Sequence, residues 1–351
     1  MRPSVRTCFS GEGYVYATRA EVIARRCGHT NPARLASNEN PFSLPEHVLA
    51  RGMEALKLAN RYPPERHERL LEALRGASAW DRIVVNNGMD GVIETVIRSL
   101  VEPGDRIAIA SPTFSFYAIA ARAFSAEIAL APRRHDFSVD RERLAEMAEG
   151  AKITFLCSPN NPTGTVTPPG DVEWLLDATG GLVFLDNAYV EFSDEDYRPL
   201  MEDHENLVIG RTMSKAYSMA GLRFGYALIP EWLEPVYERA ATPFAVNLVT
   251  AAVAEAAIRE KGHVERSVRH VRMWRERFRR EIEHPTLPSG ANFVLVDVSP
   301  FKGDEAMERL ASRGVIVRSC ASFPGLEDHY IRVSVGADWE NELFLKEINS
   351  L

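Results

Sequence analysis

The sequence has no stretch of about 18 consecutive apolar residues, the length a membrane-spanning helix needs. Its opening segment, MRPSVRTCFSGEGYVY, also lacks the apolar core of roughly 7–15 residues that a secretory signal carries. A soluble protein is expected. Cysteine is scarce: Cys8, Cys27, Cys157 and Cys320 lie far apart, with no CxxC pair and no histidines at zinc-ligand spacing. That argues against a disulfide framework or a metal site and for cytoplasmic thiols. The formal charge of −8 comes from acids and bases mixed along the whole length, so there is no basic stripe to follow a nucleic-acid backbone. Internal repeats and low-complexity tracts are missing, and no GxGxxG marks a dinucleotide site.

What is present is apolar and periodic. With 45% hydrophobic residues over 351 positions the chain can bury a large core, and a prior of roughly 100–200 residues per domain suggests two domains. Short apolar runs recur at 83–85, 106–110, 127–131, 153–157, 182–186, 207–210 and 224–229, with helical patterns between them. This alternation predicts an α/β fold with a mostly parallel seven-stranded sheet. From about 248 to 283 the pattern is that of one long, charge-rich amphipathic helix leaving the sheet. A smaller α+β region follows: strand at 291–298, helix at 304–314, strands at 314–320 and 330–336, and a helix from about Trp339. The division expected is an arm plus part of the small domain over 1–35, a large domain over 36–245 and a small domain over 246–351.

In open α/β sheets, ligands bind beyond the carboxyl ends of the strands. The unusual polar residues fall there: NNGMDG (86–91), SPTF (111–114), SPNNPTG (158–164), Asp186, and RTMSK (211–215). Lys215, among small and hydroxyl residues, is a candidate covalent amine if burial lowers its pKa, although a solvated surface lysine is the ordinary reading. Ser214 and Arg223 can clamp a phosphate; alternatively Arg223 pairs with an acid at the surface. The helix predicted after NNGMDG would offer the free N–H groups of Met89 and Asp90 to an anion, unless Asp90 is simply its N-cap. Asp186 ends an apolar strand and should demand a cationic partner, such as a protonated pyridine nitrogen. Arg332, central in a strand pattern, would need a partner such as a bidentate carboxylate.

SPNNPTG, DNAY and SKAYSMAGLRFGYAL, in this order and spacing, resemble the fold-type I aminotransferases of pyridoxal phosphate. RLASNENP, RYPP, PFAVN, SGANFVLVDV and YIRVSVG are most similar to the histidinol-phosphate aminotransferase family. The resemblance implies that Lys215 carries pyridoxal 5'-phosphate as a Schiff base and moves the substrate proton. It implies that Asp186 keeps the pyridine nitrogen protonated, that Asn161 and Tyr189 bond the phenolic oxygen, and that Phe114 stacks on the ring. Met89, Asp90, Ser214 and Arg223 would bind the cofactor phosphate, joined by Tyr62 of a neighbouring subunit in a homodimer. Arg332 would take the substrate carboxylate and Arg318 its distal phosphate, although an interdomain salt bridge is an alternative for Arg318. Asn38 is also assigned to the substrate, and either Tyr14 or Tyr16 to its phosphate.

The implied reaction passes an amino group between L-glutamate and 3-(imidazol-4-yl)-2-oxopropyl phosphate. Two features depart from the family: Asn187 stands where Glu is usual, and the N-terminal tyrosine segment reads GYVYATR. The stretch 318–335 also resembles threonine-phosphate decarboxylases, and Arg332 would equally suit an aromatic aminotransferase. A non-catalytic ligand-binding copy of the fold is a further reading, against which stand Lys215, Asp186, Asn161, Tyr189 and Arg223 together.

Overall fold

Each apolar run of the first two thirds of the chain becomes a strand of one sheet. In the computed structural model, which describes residues 5–9, 13 and 15–351, the two-residue strand β1 (Ala33–Arg34) precedes them. The sheet itself comprises β2 (Ile83–Asn87), β3 (Arg106–Ser111), β4 (Glu127–Pro132), β5 (Ala151–Cys157), β6 (Leu182–Asp186), β7 (Leu207–Thr212) and β8 (Phe224–Leu228). Its order is β2-β8-β7-β6-β5-β3-β4; β8 alone runs antiparallel to its neighbours. Every residue of β6 and β8 is buried, as expected of strands covered by helices on both faces. β3 pairs with β4 on one side and β5 on the other. The order reverses there, and a crevice opens at the carboxyl ends.

The helical pattern over 248–283 resolves into two helices, Leu248–Arg259 and Lys261–Glu281, separated at Glu260, where the backbone (φ −91°, ψ 79°) leaves helical space. Their burial explains the break. Ala251, Ala254 and Ala257 join the core beneath the large sheet, whereas Val271, Trp274 and Phe278 join the core of the smaller region. One straight helix cannot present both faces. The N-terminal helix Thr18–Arg26 contributes Ala20 and Ala24 to that second core.

The smaller region contains β9 (Phe293–Asp297), β10 (Val315–Ile316), β11 (Arg318–Ser319) and β12 (Tyr330–Ser334). The run expected as one strand over 314–320 divides between two sheets. β10 pairs parallel with β1, while β11 joins the antiparallel sheet β11-β12-β9. Both halves stay extended because each finds its own partner. The register sets Arg318 opposite Arg332, so two guanidinium-bearing residues on neighbouring strands both line the crevice.

Two glycines set the geometry at the other end of the crevice. A Cβ on Gly225 would lie 2.4 Å from the Gly88 carbonyl carbon and the Met89 nitrogen, so only glycine lets β8 approach the start of helix Gly88–Leu100. Gly88 adopts φ +74°, and a Cβ there would stand 2.8 Å from Arg223 Nη2.

Candidate active site

The crevice encloses about 630 Å³ between the strand ends and the smaller region. Every described residue assigned above to cofactor or substrate lines it except Tyr62. Tyr62 is 82% exposed and stacks on Phe244, ring centroids 5.0 Å apart, away from the cleft. Tyr14 lies outside the described residues; Tyr16, largely exposed, stands at the rim.

The floor is built around Asp186. Its Oδ2 accepts a hydrogen bond from the Tyr117 hydroxyl at 2.5 Å and its Oδ1 accepts from the Ala188 N–H at 2.9 Å. Burial pushes the carboxyl up to about 6, and Asp90 adds to the rise; the two hydrogen bonds and the Lys215 charge act in the opposite direction. The site is one where a cationic ligand atom would be welcomed, because it would relieve a desolvated carboxylate.

Lys215 follows β7 in the loop 213–219. Its Nζ donates to the Ser37 carbonyl at 3.4 Å and lies 5.9 Å from the centroid of the Tyr189 ring. Desolvation, joined by the charges of Arg332 and Arg223, pulls the ammonium down to about 8 against the opposing charges of Glu39 and Asp90. A large neutral fraction at mild pH is what a lysine nucleophile requires. Its backbone is clamped by Asn40, whose Nδ2 donates to the carbonyls of Lys215 and Ala216 and to Ser267 Oγ.

The anion end is the start of helix Gly88–Leu100. No side chain caps it: Asn87 holds the N-cap position without a cap bond, and Asp90 sits in the first turn. The reading of Asp90 as cap is therefore replaced, since its carboxylate instead accepts from Arg223 Nη2 at 2.9 Å. Arg223 also donates to the Ala220 carbonyl at 3.2 Å, and Ser214 is held by Thr212 Oγ1 at 3.0 Å. Free helix N–H groups, a guanidinium and a hydroxyl together suit a phosphate.

Opposite the lysine, Arg332 is buried to 5% exposure. It donates to Asn161 Oδ1 and, at 2.6 Å, to the Ala36 carbonyl, and its guanidinium faces the Phe293 ring at 5.3 Å. Among the described residues it has no carboxylate partner, and its Nε is buried with no hydrogen bond. A buried guanidinium left so costs several kcal/mol unless a ligand carboxylate completes it. Tyr189 accepts from Asn38 Nδ2 at 3.0 Å. Asn38 sits in the left-handed region (φ 54°), fixed by mutual bonds with Ser334 and by Asn292, which donates to its carbonyl. Arg318 donates to Ser322 Oγ at 2.9 Å and lies over the Phe323 ring; with Tyr16 it also borders an adjoining cavity of about 300 Å³.

Sequence reasoning missed Tyr117, Asn40, Ser334 and Asn292, which touch or anchor the expected site residues. Asn40 could have been found inside RLASNENP. Nothing in the sequence singles out Tyr117, which is one aromatic in SFYAIAARA.

The arrangement of a lysine of lowered basicity, a buried carboxylate and an anion cradle can hold a phosphorylated carbonyl compound with a protonatable ring. Residues 30–348 match the family model described as aminotransferase class I and II. A histidinol-phosphate aminotransferase of Methanoculleus marisnigri is 56% identical over 352 residues, covering 100% of both chains. The solved histidinol-phosphate aminotransferase of Sinorhizobium meliloti, in complex with pyridoxal-5'-phosphate, is 25% identical with a TM-score of 0.89, covering 100% of this chain and 98% of that one. An L-threonine-O-3-phosphate decarboxylase of Porphyromonas gingivalis shares the fold at a TM-score of 0.78 and 24% identity, over 91% of this chain and 98% of that one. The architecture is thus the fold-type I one expected. Fold likeness alone does not separate these activities, but the family match and the full-length identity stand beside the site geometry, and on that ground the chain belongs to the class I and II aminotransferase family.

Proposed function

We propose that the protein is a pyridoxal-phosphate-dependent histidinol-phosphate aminotransferase, passing an amino group between L-glutamate and imidazole acetol phosphate in histidine biosynthesis. The observation that carries this reading is one cleft in which Lys215, Asp186 and the uncapped helix start lie together, in a chain 56% identical throughout to a relative of that name. When bound, pyridoxal phosphate supplies a carbonyl that exchanges one amine for another and a ring that takes up the electron pair of the breaking substrate bond.

The chain's own residues supply the rest. The N–H groups of Met89 and Asp90, with Ser214 and Arg223, bind the phosphate. Asp186 holds a proton on the ring nitrogen, Asn161 and Tyr189 orient the phenolic oxygen, and Phe114 packs on the ring face. Lys215 Nζ anchors the cofactor and then takes the proton from the substrate α-carbon. Arg332 binds the substrate carboxylate through the Nε that has no hydrogen bond among the described residues. Arg318, with Asn38 and Tyr16, faces the distal phosphate end. Tyr62 and Phe244, exposed and stacked, form part of a homodimer face through which Tyr62 reaches the partner's cofactor phosphate. The enzyme works in the cytoplasm.

The test is conversion of L-histidinol phosphate by the purified, cofactor-loaded protein. Strict dependence on 2-oxoglutarate is expected. Release of carbon dioxide from L-threonine phosphate without any oxo-acid acceptor would sink the reading.

A further inference from the structure

Tyr117 touches two groups assigned to the cofactor ring, Asp186 and Phe114. It lies on helix Phe116–Ala123 and is fully buried. Its ring stacks on Phe155 of β5, centroids 4.7 Å apart and planes 7° from parallel. The same ring meets Phe114 edge to face at 5.5 Å and 87°. Its hydroxyl donates to Asp186 Oδ2 at 2.5 Å. We propose that Tyr117 is a positioning residue for the transamination: one hydroxyl fixes the Asp186 carboxylate and one ring fixes Phe114, so a single side chain sets both the nitrogen contact and the face contact of the cofactor. This inference rests on the pyridoxal-phosphate reading of the cleft.

The direction of the donor is settled by its surroundings. Burial and the Asp186 charge both push the phenol well above its ordinary range, so it remains protonated and donates. The neighbouring Cys157 thiol is pushed up by burial in the same way and stays neutral. Behind these groups, the Arg133 guanidinium senses both Tyr117 and Cys157; burial lowers it only to about 10, so it is cationic at neutral pH. Its Nε and Nη2 are buried without a hydrogen bond among the described residues, and its Nη1 donates to the Phe137 carbonyl at 3.2 Å. Asp186 also faces Tyr189, Asp90 and Lys215. Of all these, Tyr117 is the side chain that bonds the carboxylate directly. A hydrogen bond to an ionised group favours that ionised form. Without it, Asp186 holds its own proton to higher pH and a ring nitrogen loses its counter-charge.

Tyr117→Phe keeps the stack on Phe155 and removes the donor. In the holoenzyme, the acid limb of the kcat profile should move up by roughly one pH unit. The dissociation constant for pyridoxal phosphate, read by fluorescence quenching, should rise roughly tenfold, with KM for the amino donor nearly unchanged. An acid limb and a dissociation constant that coincide with wild type overturn the proposal. A uniform loss of kcat with an unmoved limb also overturns it, since that is the signature of a merely structural ring. A second measurement needs no variant. Infrared spectra of holoenzyme with ring-labelled tyrosine should show a C–O stretch of a phenol donating to a carboxylate, and its absence refutes the contact. Wild-type protein that binds no pyridoxal phosphate would instead overturn the functional reading, a result seen before any variant is made.

Discussion

The two ends of the cleft are built differently. At the floor, Asp186, Asn161, Tyr189 and Asn38 are buried and each is held by a hydrogen bond from another protein side chain: Asp186 by Tyr117, Asn161 by Arg332, and Tyr189 by Asn38, which Ser334 holds in turn. At the rim, Tyr16 is 71% exposed and Arg318 is half-buried on a two-residue strand. The floor is over-determined and the rim is not. That contrast follows from the chemistry proposed for each: a resident cofactor needs fixed groups, whereas a substrate that must enter and leave needs accessible ones.

The largest effect should come from breaking the floor. Lys215→Ala removes the one lysine among the described residues that line the cleft, and we expect kcat to fall by about 10³ or more, together with loss of the visible absorption of lysine-bound cofactor. Retention of that absorption would refute the lysine assignment. Next is Arg332→Lys, which keeps charge but loses the planar fork; kcat/KM should drop by roughly 10²-fold for every amino substrate, about 2–3 kcal/mol. A drop confined to one substrate would show that Arg332 does not bind the shared carboxylate. At the rim, Arg318→Ala should raise KM for phosphorylated substrate about tenfold and leave a non-phosphorylated aromatic amino acid unaffected. Equal losses on both would remove the distinction between the two ends.

The smallest effect concerns stability. The Lys215 ammonium is depressed from its ordinary 10.5 to about 8. A depressed lysine binds its proton more weakly when folded, so it costs stability below about pH 8, and the cost fades as pH rises from there to about 10.5. After allowance for its partial exposure, Lys215→Met should stabilise the cofactor-free protein by about 1 kcal/mol at pH 7, an advantage that vanishes near pH 10.5. Thermal melts across that range check it; a constant advantage would mean packing, not charge, is responsible.

The floor was also the part most legible in the sequence. Apolar runs that end abruptly on Asp186, or on Asn161 and Lys215 a few residues later, announce both a strand and the residues at its mouth. Supports that come from elsewhere in the chain are harder to read. Tyr117 reaches Asp186 across 69 positions, and Asn38 reaches Ser334 across 296, with no local pattern to mark either. The break at Glu260 was hidden for a related reason. Amphipathic periodicity continues through it, and only the change of packing partner from one core to the other requires the helix to stop. The run 314–320 likewise has a single extended pattern but two pairing partners.

β8 is hydrogen-bonded to β2 on one side and β7 on the other, so it cannot retreat, and Gly225 meets the Gly88–Met89 peptide with no room for a methyl group. The gap between strand and helix acts as a spacer gauge whose zero mark is a hydrogen atom. It sets how far Arg223, at the entrance to β8, stands from the amides at the helix tip. Affinity for an anion at that tip is therefore governed by a residue that touches no ligand: a single added carbon at position 225 would widen the cradle while leaving every charged group in the cleft intact.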